Sequence, residues 1–369
     1  MLELVALTLA GMHFGVPLFY YLLLKHRYLK CPWNIKIDEN YKPNITVIVP
    51  TYNEEKLIQS KLDNLYAQDY SKSLIEIIVV DGKSDDRTTE LVRNWVSRHR
   101  DVKLALIEEP ERCGMVPAIN YVLQHHRIKG EIVVFTDVDA IWSANALTMV
   151  AKYFADPNIG AVTASIVPTT STDGSVEGVY RNYYNLIRIA ESRLQSTPVH
   201  NGALVAFRAN LLLKMGGLPS YTGNNDSTPA SIVAFAGYRA IQVDDVLVKE
   251  PVRGSLFRRK VRRAQHLLLS FIKTKRYAKM LGAYKYTKPF ERIWKVEWWL
   301  HVTNPWLLIS CVFLFLLSIF RGSFTALALL GTGLVLLTLK SYRTWVLNQL
   351  YLVIATIRNL WTKEIVWSK

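Results

Sequence analysis

The chain has 369 residues, of which 50% are hydrophobic and 20% are charged, and its mean hydropathy is +0.11. Ordinary soluble domains have about 25% charged residues, so this composition excludes a disordered chain and argues against a simple soluble enzyme. The net charge of +15 indicates an acidic partner, and the three cysteines lie too far apart along the chain for a disulfide scaffold or a thiolate zinc site.

The N-terminal segment is predicted to cross a membrane. Residues 2–24 are almost wholly apolar, and about 20 such residues suffice to span the ~30 Å hydrocarbon core of a bilayer. Lys25, Arg27 and Lys30 follow this segment, and the positive-inside rule then places the next domain in the cytoplasm. We therefore predict a transmembrane helix over residues 1–25, and a helix buried in a protein core is the alternative.

Strand-like and helix-like runs alternate over residues 44–252. β-Branched runs predict the strands, and apolar residues at helical spacing predict the helices between them. The predicted strands are 45–49, 75–80, 103–108 and 131–136, and the predicted helices are 54–67, 88–99 and 116–126. Such alternation predicts an α/β domain with a mainly parallel sheet and helices on both faces, whose ligands bind beyond the carboxyl ends of the strands.

Acidic or turn-forming residues follow three of these strands. Their sequences are Pro50-Thr51-Tyr52-Asn53-Glu54-Glu55, Asp81-Gly82-Lys83-Ser84-Asp85-Asp86 and Asp137-Val138-Asp139. In the third, two carboxylates lie one residue apart, and like charges so placed repel each other unless a cation lies between them. Carboxylate oxygens suit a hard divalent ion, so a metal site is predicted at this strand end.

A strongly basic segment follows the α/β region. Residues 251–290 contain twelve Lys and Arg residues and no Asp or Glu. Apolar residues recur in this segment at helical spacing, namely Phe257, Val261, Ala264, Leu268 and Phe271. We predict basic amphipathic interface helices over residues 253–300 that lie on an anionic lipid bilayer. Because apolar segments suited to a membrane accompany this charge, nucleic acid is not the expected partner.

Two further apolar runs, 302–320 and 324–339, are separated by a short turn. They are predicted to form a transmembrane helical hairpin over residues 301–341. The last segment keeps polar residues among its apolar ones, which predicts an interface helix over residues 342–369, with a further membrane span as the alternative. This layout predicts a multi-pass protein of the cell membrane with its α/β domain on the cytoplasmic side.

In order and spacing, the strand-end motifs resemble those of the family 2 glycosyltransferases with the GT-A fold. The first half of the resemblance is carried by residues 47–55, by Asp81-x-x-Ser84-x-Asp86 and by Asp137-Val138-Asp139, and the second half by Gly216-Gly217-Leu218-Pro219, Asn225-Asp226 and Gly237-Tyr238-Arg239. The resemblance implies a GT-A catalytic domain over residues 44–252, with a Rossmann-like mixed, mainly parallel sheet. The membrane layout and the basic helix resemble the cellulose-synthase-like and hyaluronan-synthase-like branch.

The resemblance implies that a group of residues binds a nucleotide-diphosphate sugar donor. These residues are Pro50, Tyr52, Glu54, Asp81, Asp137 and Arg262. Asp139 would ligate Mg²⁺ or Mn²⁺ that bridges the diphosphate, and such a metal neutralises the charge that builds on the leaving group. Without the resemblance, Pro50 would be a strand stop and Tyr52 a packing aromatic.

Asp226 is the implied catalytic base. A sugar hydroxyl is a poor nucleophile near neutral pH, so its attack on an anomeric carbon benefits from a carboxylate within hydrogen-bond reach. The family carries this base as the Asp of a Glu-Asp pair, which is Asn225-Asp226 here. One base and one metal-activated leaving group suit in-line displacement with inversion. The alternative is that Asp226 only caps a helix that begins near Pro229.

The resemblance also implies an acceptor side. The loop His200-Asn201-Gly202 is similar to the family's acceptor loop, with a lone structural histidine as the alternative for His200. Arg258 and Arg259 are assigned to the acceptor, because they stand where the family has Gln-x-x-Arg-Trp. The Gln and the Trp of that motif are both replaced here, which argues against processive synthesis.

Together these features predict an integral-membrane, metal-dependent inverting hexosyltransferase. It would move a sugar from a nucleotide-diphosphate donor, GDP-mannose before a UDP-hexose, to a lipid-linked glycan of the polyprenyl or dolichyl phosphate type at the cytoplasmic face. Two alternatives stay open: a synthase that glycosylates the bare lipid phosphate, and a catalytically idle membrane scaffold that binds a nucleotide.

Overall fold

The computed structural model describes residues 1–168, 176–222, 224–250 and 256–362. The strands are β1 Ile45–Thr51, β2 Ile75–Asp81, β3 Lys103–Glu108, β4 Ile132–Phe135, β5 Ile141–Trp142, β6 Ile159–Pro168, β7 Val205–Arg208 and β8 Arg239–Glu250. The helices are α1 Leu2–Arg27, α2 Ile58–Tyr66, α3 Thr88–Arg98, α4 Met115–His125, α5 Ala146–Tyr153, α6 Val176–Leu194, α7 Ala209–Lys214, α8 Ser227–Phe235, α9 Leu256–Met280, α10 Lys288–Trp298, α11 Asn304–Phe320, α12 Phe324–Leu336 and α13 Lys340–Arg358.

The strands in the described part of the chain form one mixed sheet in the order β3-β2-β1-β4-β7-β6-β8-β5. Parallel pairing joins β3, β2, β1 and β4, and it also joins β6 to β8. The other three pairs are antiparallel. Apolar clusters pack on both faces of the sheet, which is why the central strands are continuous β-branched runs. The predicted α/β fold with a mainly parallel sheet is confirmed.

The register brings the carboxyl ends of the first three strands to one edge, where Thr51 pairs with Asp81 and Asp81 with Glu108. Beyond this edge, the turn after β1 is held by the turn after β2. The Glu54 backbone N–H, for example, donates to Thr88 Oγ1 at 2.8 Å. The helix predicted over residues 54–67 therefore begins only at Ile58, because the backbone before it forms hydrogen bonds with the turn after β2.

Two helical segments in the described residues are long and apolar enough to cross a membrane: α1, and the continuous segment Lys288–Phe320. The second consists of α10, a π-helical turn at Trp299–Thr303 and α11. α12 has 13 residues, which at ~1.5 Å per residue is too short to span a bilayer alone. It counts toward a third span only together with α13, from which it is bent by 104°. The hairpin predicted over residues 301–341 is therefore a long helix that starts earlier, followed by a short one.

The basic helix α9 buries its apolar face against protein. Val261, Ala264 and Leu268 pack against Leu352 and Ala355 of α13. The sequence analysis placed this apolar face on lipid, whereas in the structure the C-terminal helix α13 covers it. The predicted domain boundary at 252/253 and the last residues of the predicted C-terminal helix, 363–369, lie outside the described residues.

Candidate active site

A cavity of about 450 Å³ opens at the carboxyl ends of β1, β2 and β4 and continues to α6, α9 and α13. Most of the predicted site residues line it: Pro50, Tyr52, Glu54, Asp137, Asp139, His200, Asn201, Gly202, Asp226, Arg259 and Arg262. The parallel register explains this convergence, because side chains that are distant in sequence reach the same sheet edge.

Two predicted residues do not line this cavity. The carboxylate of Asp81 is buried and accepts hydrogen bonds from Thr51 Oγ1 at 2.9 Å, from Ser84 Oγ at 2.6 Å and from the Ser84 backbone N–H at 2.7 Å. Asp81 therefore ties the end of β1 to the turn after β2. Arg258 lies on an exposed face of α9.

The acidic loop after β4 presents both of its carboxylates to the cavity. Burial, and then the nearby charge of Asp139, raise the pKa of Asp137 to about 7. The loop that contains Gly202 lies beside the acidic loop: a Cβ at this glycine would lie 3.6 Å from Asp137 Oδ2 and 3.4 Å from Asn225 Oδ1. The repulsion between two carboxylates that the sequence indicated is thus present in the folded protein.

Lys61 of α2 forms hydrogen bonds with both ends of this acidic loop. Its Nζ is fully buried and donates to Thr136 Oγ1 and to the Ala140 carbonyl, each at 2.7 Å. Burial lowers the pKa of Lys61 to about 7, although Asp137 and Asp139 act in the opposite direction. The lysine thereby joins the two ends of the loop that carries the acidic pair.

The donor atoms at this loop fit a hard divalent ion. Asp137 and Asp139 offer carboxylate oxygens at the sheet edge, and such oxygens are the ligands that Mg²⁺ and Mn²⁺ prefer. No group of three His, Cys, Asp or Glu side chains that could hold a metal occurs in the described residues. A metal on Asp139 would therefore need further oxygens, such as those of a substrate diphosphate.

Asp226 lies at the N-terminus of α8 and also lines the cavity. Its carboxylate accepts a hydrogen bond from the Ser227 backbone N–H, so the capping interpretation holds. Burial raises the pKa of Asp226, while the Ser227 N–H and the positive charges of Arg188 and Arg263 lower it in part. One carboxylate thus caps a helix and borders the cavity.

The loop that was predicted to bind the acceptor is anchored to the same helix. The His200 backbone N–H donates to Ser227 Oγ at 3.0 Å, and Asn201 Nδ2 donates to the Ala164 carbonyl at 2.6 Å. Burial, together with the charge of Arg188, lowers the pKa of His200 to about 3. His200 is therefore a neutral imidazole at physiological pH.

Helices α6 and α9 supply a basic wall of the cavity. Its lining side chains are Arg181, Arg188, Arg259, Lys260, Arg262 and Arg263. Glu250, at the end of β8, connects two of the elements that carry them: it forms an ion pair with Arg181 of α6 at 3.1 Å and another with Arg263 of α9. This wall can bind an anionic group of a substrate.

Sequence reasoning missed several lining residues. Glu109 and Arg112 lie just beyond β3, and Arg188 and His301 come from α6 and the π-helical turn. The signal for Glu109 was its position, because it follows a fourth parallel strand as the other acidic residues follow theirs. Arg188 and His301 lie in helices whose packing against the sheet has no signature in the sequence.

Comparisons with known proteins agree with this geometry. The family described as glycosyl transferase family 2 matches residues 46–216. The solved structure of mannosyltransferase PcManGT from Pyrobaculum calidifontis, in complex with GDP-Man and Mn²⁺, is 42% identical, covers 99% of this chain and 100% of that chain, and has a TM-score of 0.88.

More distant relatives are also glycosyltransferases. Glycosyltransferase AglE of Haloferax volcanii is 25% identical over 223 residues, which are 60% of this chain and 71% of that protein. The dolichyl N-acetyl-alpha-D-glucosaminyl phosphate 3-beta-D-2,3-diacetamido-2,3-dideoxy-beta-D-glucuronosyltransferase of Methanococcus voltae is 37% identical over 68 residues. That match spans 18% of this chain and 21% of the Methanococcus protein.

Proposed function

The chain belongs to the family 2 glycosyltransferases, and on that premise we propose that it transfers mannose from GDP-mannose to a lipid-linked glycan. The reaction would invert the anomeric centre, depend on a divalent metal and take place at the cytoplasmic face of the membrane. The observation that carries the proposal is that Asp139 and Asp226 line one cavity, which basic side chains of α6 and α9 also line.

The donor assignment is supported by a relative of nearly the same extent. PcManGT is described with GDP-Man and Mn²⁺ bound, and it aligns with almost the whole of this chain at 42% identity. The strand-end residues Pro50, Tyr52 and Glu54 border the cavity beside Asp137, where a nucleotide would meet the sheet edge.

A divalent metal would be held by Asp139, with Asp137 beside it. When bound, such an ion neutralises the charge that develops on a departing diphosphate. Arg262 also lines the cavity and offers charge-assisted hydrogen bonds to phosphate oxygens.

Asp226 would accept the proton of the attacking acceptor hydroxyl. The oxygen then forms a bond to the anomeric carbon while the bond from that carbon to the diphosphate breaks, and GDP leaves. Attack from the side opposite the leaving group inverts the anomeric configuration. The raised pKa of Asp226 moves this carboxylate toward the range in which a general base is effective.

The lipid-linked acceptor is supported by the position of the cavity. Tyr351 and Leu352 of α13 line it, as does His301 of the π-helical turn within the apolar segment Lys288–Phe320. An acceptor with an anionic headgroup would meet the basic wall there. The name of the Methanococcus relative specifies a dolichyl-phosphate-linked acceptor.

The test is Asp226→Asn in the full-length protein with labelled GDP-mannose, Mn²⁺ and membrane lipid extract. We expect turnover to fall by about 10²–10⁴-fold, the usual contribution of a general base, while GDP binding changes little. Asp244→Asn is the matched control, because Asp244 is a half-exposed carboxylate paired with Arg193. The Asp244→Asn protein should keep the wild-type turnover. Full turnover of Asp226→Asn would refute the base assignment.

The same assay separates the alternatives. A bare lipid phosphate is already ionised and needs no base, so a polyprenyl-phosphate synthase would keep its activity in Asp226→Asn when polyprenyl phosphate is the acceptor. Wild-type protein that binds GDP-mannose but releases no GDP with any lipid fraction would contradict the transferase proposal and favour a nucleotide-binding scaffold.

A further inference from the structure

A second carboxylate lies at the nucleotide end of the cavity. Glu109 comes one residue after β3, is only 7% exposed and lines the cavity together with Tyr52 and Gly82. Glu109 follows β3 and Asp139 follows β4, and these two strands are separated in the sheet by β2 and β1. Glu109 is therefore placed away from the metal-binding loop.

Gly82 borders the cavity beside this carboxylate. A Cβ at Gly82 would lie 3.5 Å from Glu109 Oε2, 3.5 Å from the Thr51 carbonyl oxygen and 3.7 Å from Arg112 Cγ. Two hydrogen-bond acceptors thus border the same small space. The Arg112 guanidinium lies over the Tyr52 ring, 3.5 Å from its centroid, and forms a flat surface next to it.

Asp81, one of the residues that the resemblance assigned to the nucleotide, has its carboxylate engaged within the protein. Both of its carboxylate oxygens accept hydrogen bonds from Thr51 and Ser84. By contrast, the described residues supply no hydrogen-bond donor to the Glu109 side chain. Burial, and then the charge of Asp81, raise the pKa of Glu109 to about 7, as expected for a buried carboxylate that lacks a donor.

We propose that Glu109 binds the nucleobase of the donor and selects guanine. The inference rests on the proposed function, because it takes the ligand to be a GDP-sugar. Guanine carries two adjacent donors, N1–H and the exocyclic N2–H, which match the two oxygens of one carboxylate. Uracil has a single N–H between two carbonyl oxygens, so the second carboxylate oxygen would face an acceptor. Adenine presents an acceptor at N1.

The experiment compares GDP, IDP and UDP binding to the full-length protein in detergent with Mn²⁺. IDP lacks only the exocyclic amino group, so the wild-type protein should bind it about tenfold more weakly than GDP, the effect of one lost charge-assisted hydrogen bond. In Glu109→Gln, GDP affinity should fall by about tenfold or more, and GDP and IDP should then bind within about twofold of each other.

The matched control is Glu108→Gln. Glu108, the last residue of β3, is half-exposed and pairs with Arg93 on the surface, so its loss should leave the preference for GDP over IDP unchanged. Unchanged GDP binding and an unchanged preference in Glu109→Gln would overturn the role of Glu109 and leave the proposed function intact.

Tighter binding of UDP than of GDP by the wild-type protein would overturn both the guanine assignment and the proposed donor. If Glu109→Gln does not fold, as judged by its thermal unfolding, the wild-type comparison of GDP with IDP decides. Equal affinity for the two nucleotides would then refute recognition of the exocyclic amino group by a carboxylate.

Discussion

Lys61 shows how one buried charge can organise a site from outside it. Its Nζ donates hydrogen bonds to Thr136 and to the Ala140 carbonyl. The same atom lies 4.4 Å from the centroid of the Trp142 ring. A lysine in a helix of alternating polar and apolar residues gives no sign that it is buried. Only the packing of α2 under the acidic loop assigns it a positioning role.

We expect Lys61→Met to lower the free energy of unfolding by about 1–3 kcal/mol, because methionine keeps the side-chain volume but leaves the Ala140 carbonyl without its hydrogen-bond donor. Turnover should fall while binding of GDP without metal is retained, since the loop that carries Asp139 loses its anchor. Lys103→Met, at an exposed lysine, is the control. A Lys61→Met protein with wild-type Mn²⁺ dependence would contradict the positioning role.

At the scale of elements, Glu250 determines how α9 meets the catalytic domain. The carboxylate bridges Arg181 of α6 and Arg263 of α9 and is itself buried. Burial raises its pKa, but the two arginines outweigh this and lower the pKa below its usual value. The basic wall of the cavity is therefore held in place by one acid at the end of β8.

Glu250→Gln should cost about 3 kcal/mol of unfolding free energy, near the lower end for the loss of one partner from a buried ion pair, because Arg263 is partly exposed. Glu108→Gln, which breaks a surface pair with Arg93, should cost less than about 1 kcal/mol. Thermal unfolding of the two variants without nucleotide measures the difference. Equal stability of the two variants would show that Glu250 does not dock α9.

At the scale of the whole molecule, a buried polar contact joins the first apolar helix to the catalytic domain. Tyr20 of α1 donates to Glu191 of α6 at 2.6 Å, and Thr197 donates to the other oxygen of that carboxylate at 2.7 Å. Glu297 and Arg188 are the charged groups that face it. Burial raises the pKa of Glu191 to about 7, although the hydrogen bonds from Tyr20 and Thr197 act against this.

This contact predicts a pH-dependent stability. A carboxyl whose pKa is raised in the folded state stabilises the fold when it is protonated. Its contribution to the free energy of unfolding is therefore full below about pH 4.5 and is lost as the pH rises through about 7. Tyr20→Phe removes a hydrogen-bond donor to the ionised Glu191 carboxylate. We expect this substitution to lower the free energy of unfolding by about 1–3 kcal/mol at pH 8 and by less at pH 5. Thermal unfolding measures the difference, with Tyr21→Phe as the control. A cost that does not change with pH would contradict the ionisation of Glu191.

Individual elements show how far prediction from sequence reached. β3 was predicted with its observed ends, because its short apolar run 104–107 lies between charged residues and turn residues. α2 was predicted four residues too early, since Ser84 and Thr88, far along the chain, hold the backbone after β1. The spacing of Val261, Ala264 and Leu268 identified the buried face of α9, but the spacing alone could not tell a protein surface from a lipid one.

The amino-acid sequence by itself determined the α/β class, the acidic strand ends and the family, because these depend on local periodicity and on motifs of adjacent residues. Only the tertiary structure decided which carboxylates reach the cavity. Asp81 is the last residue of β2 and Glu109 comes one residue after β3, so both are acidic residues at the ends of neighbouring parallel strands. Hydrogen bonds from Thr51 and Ser84 engage Asp81 in the fold, while Glu109 lines the cavity. The reason is physical: the role of a side chain at a sheet edge depends on the donors that neighbouring strands bring to it, and strand order is set by long-range packing.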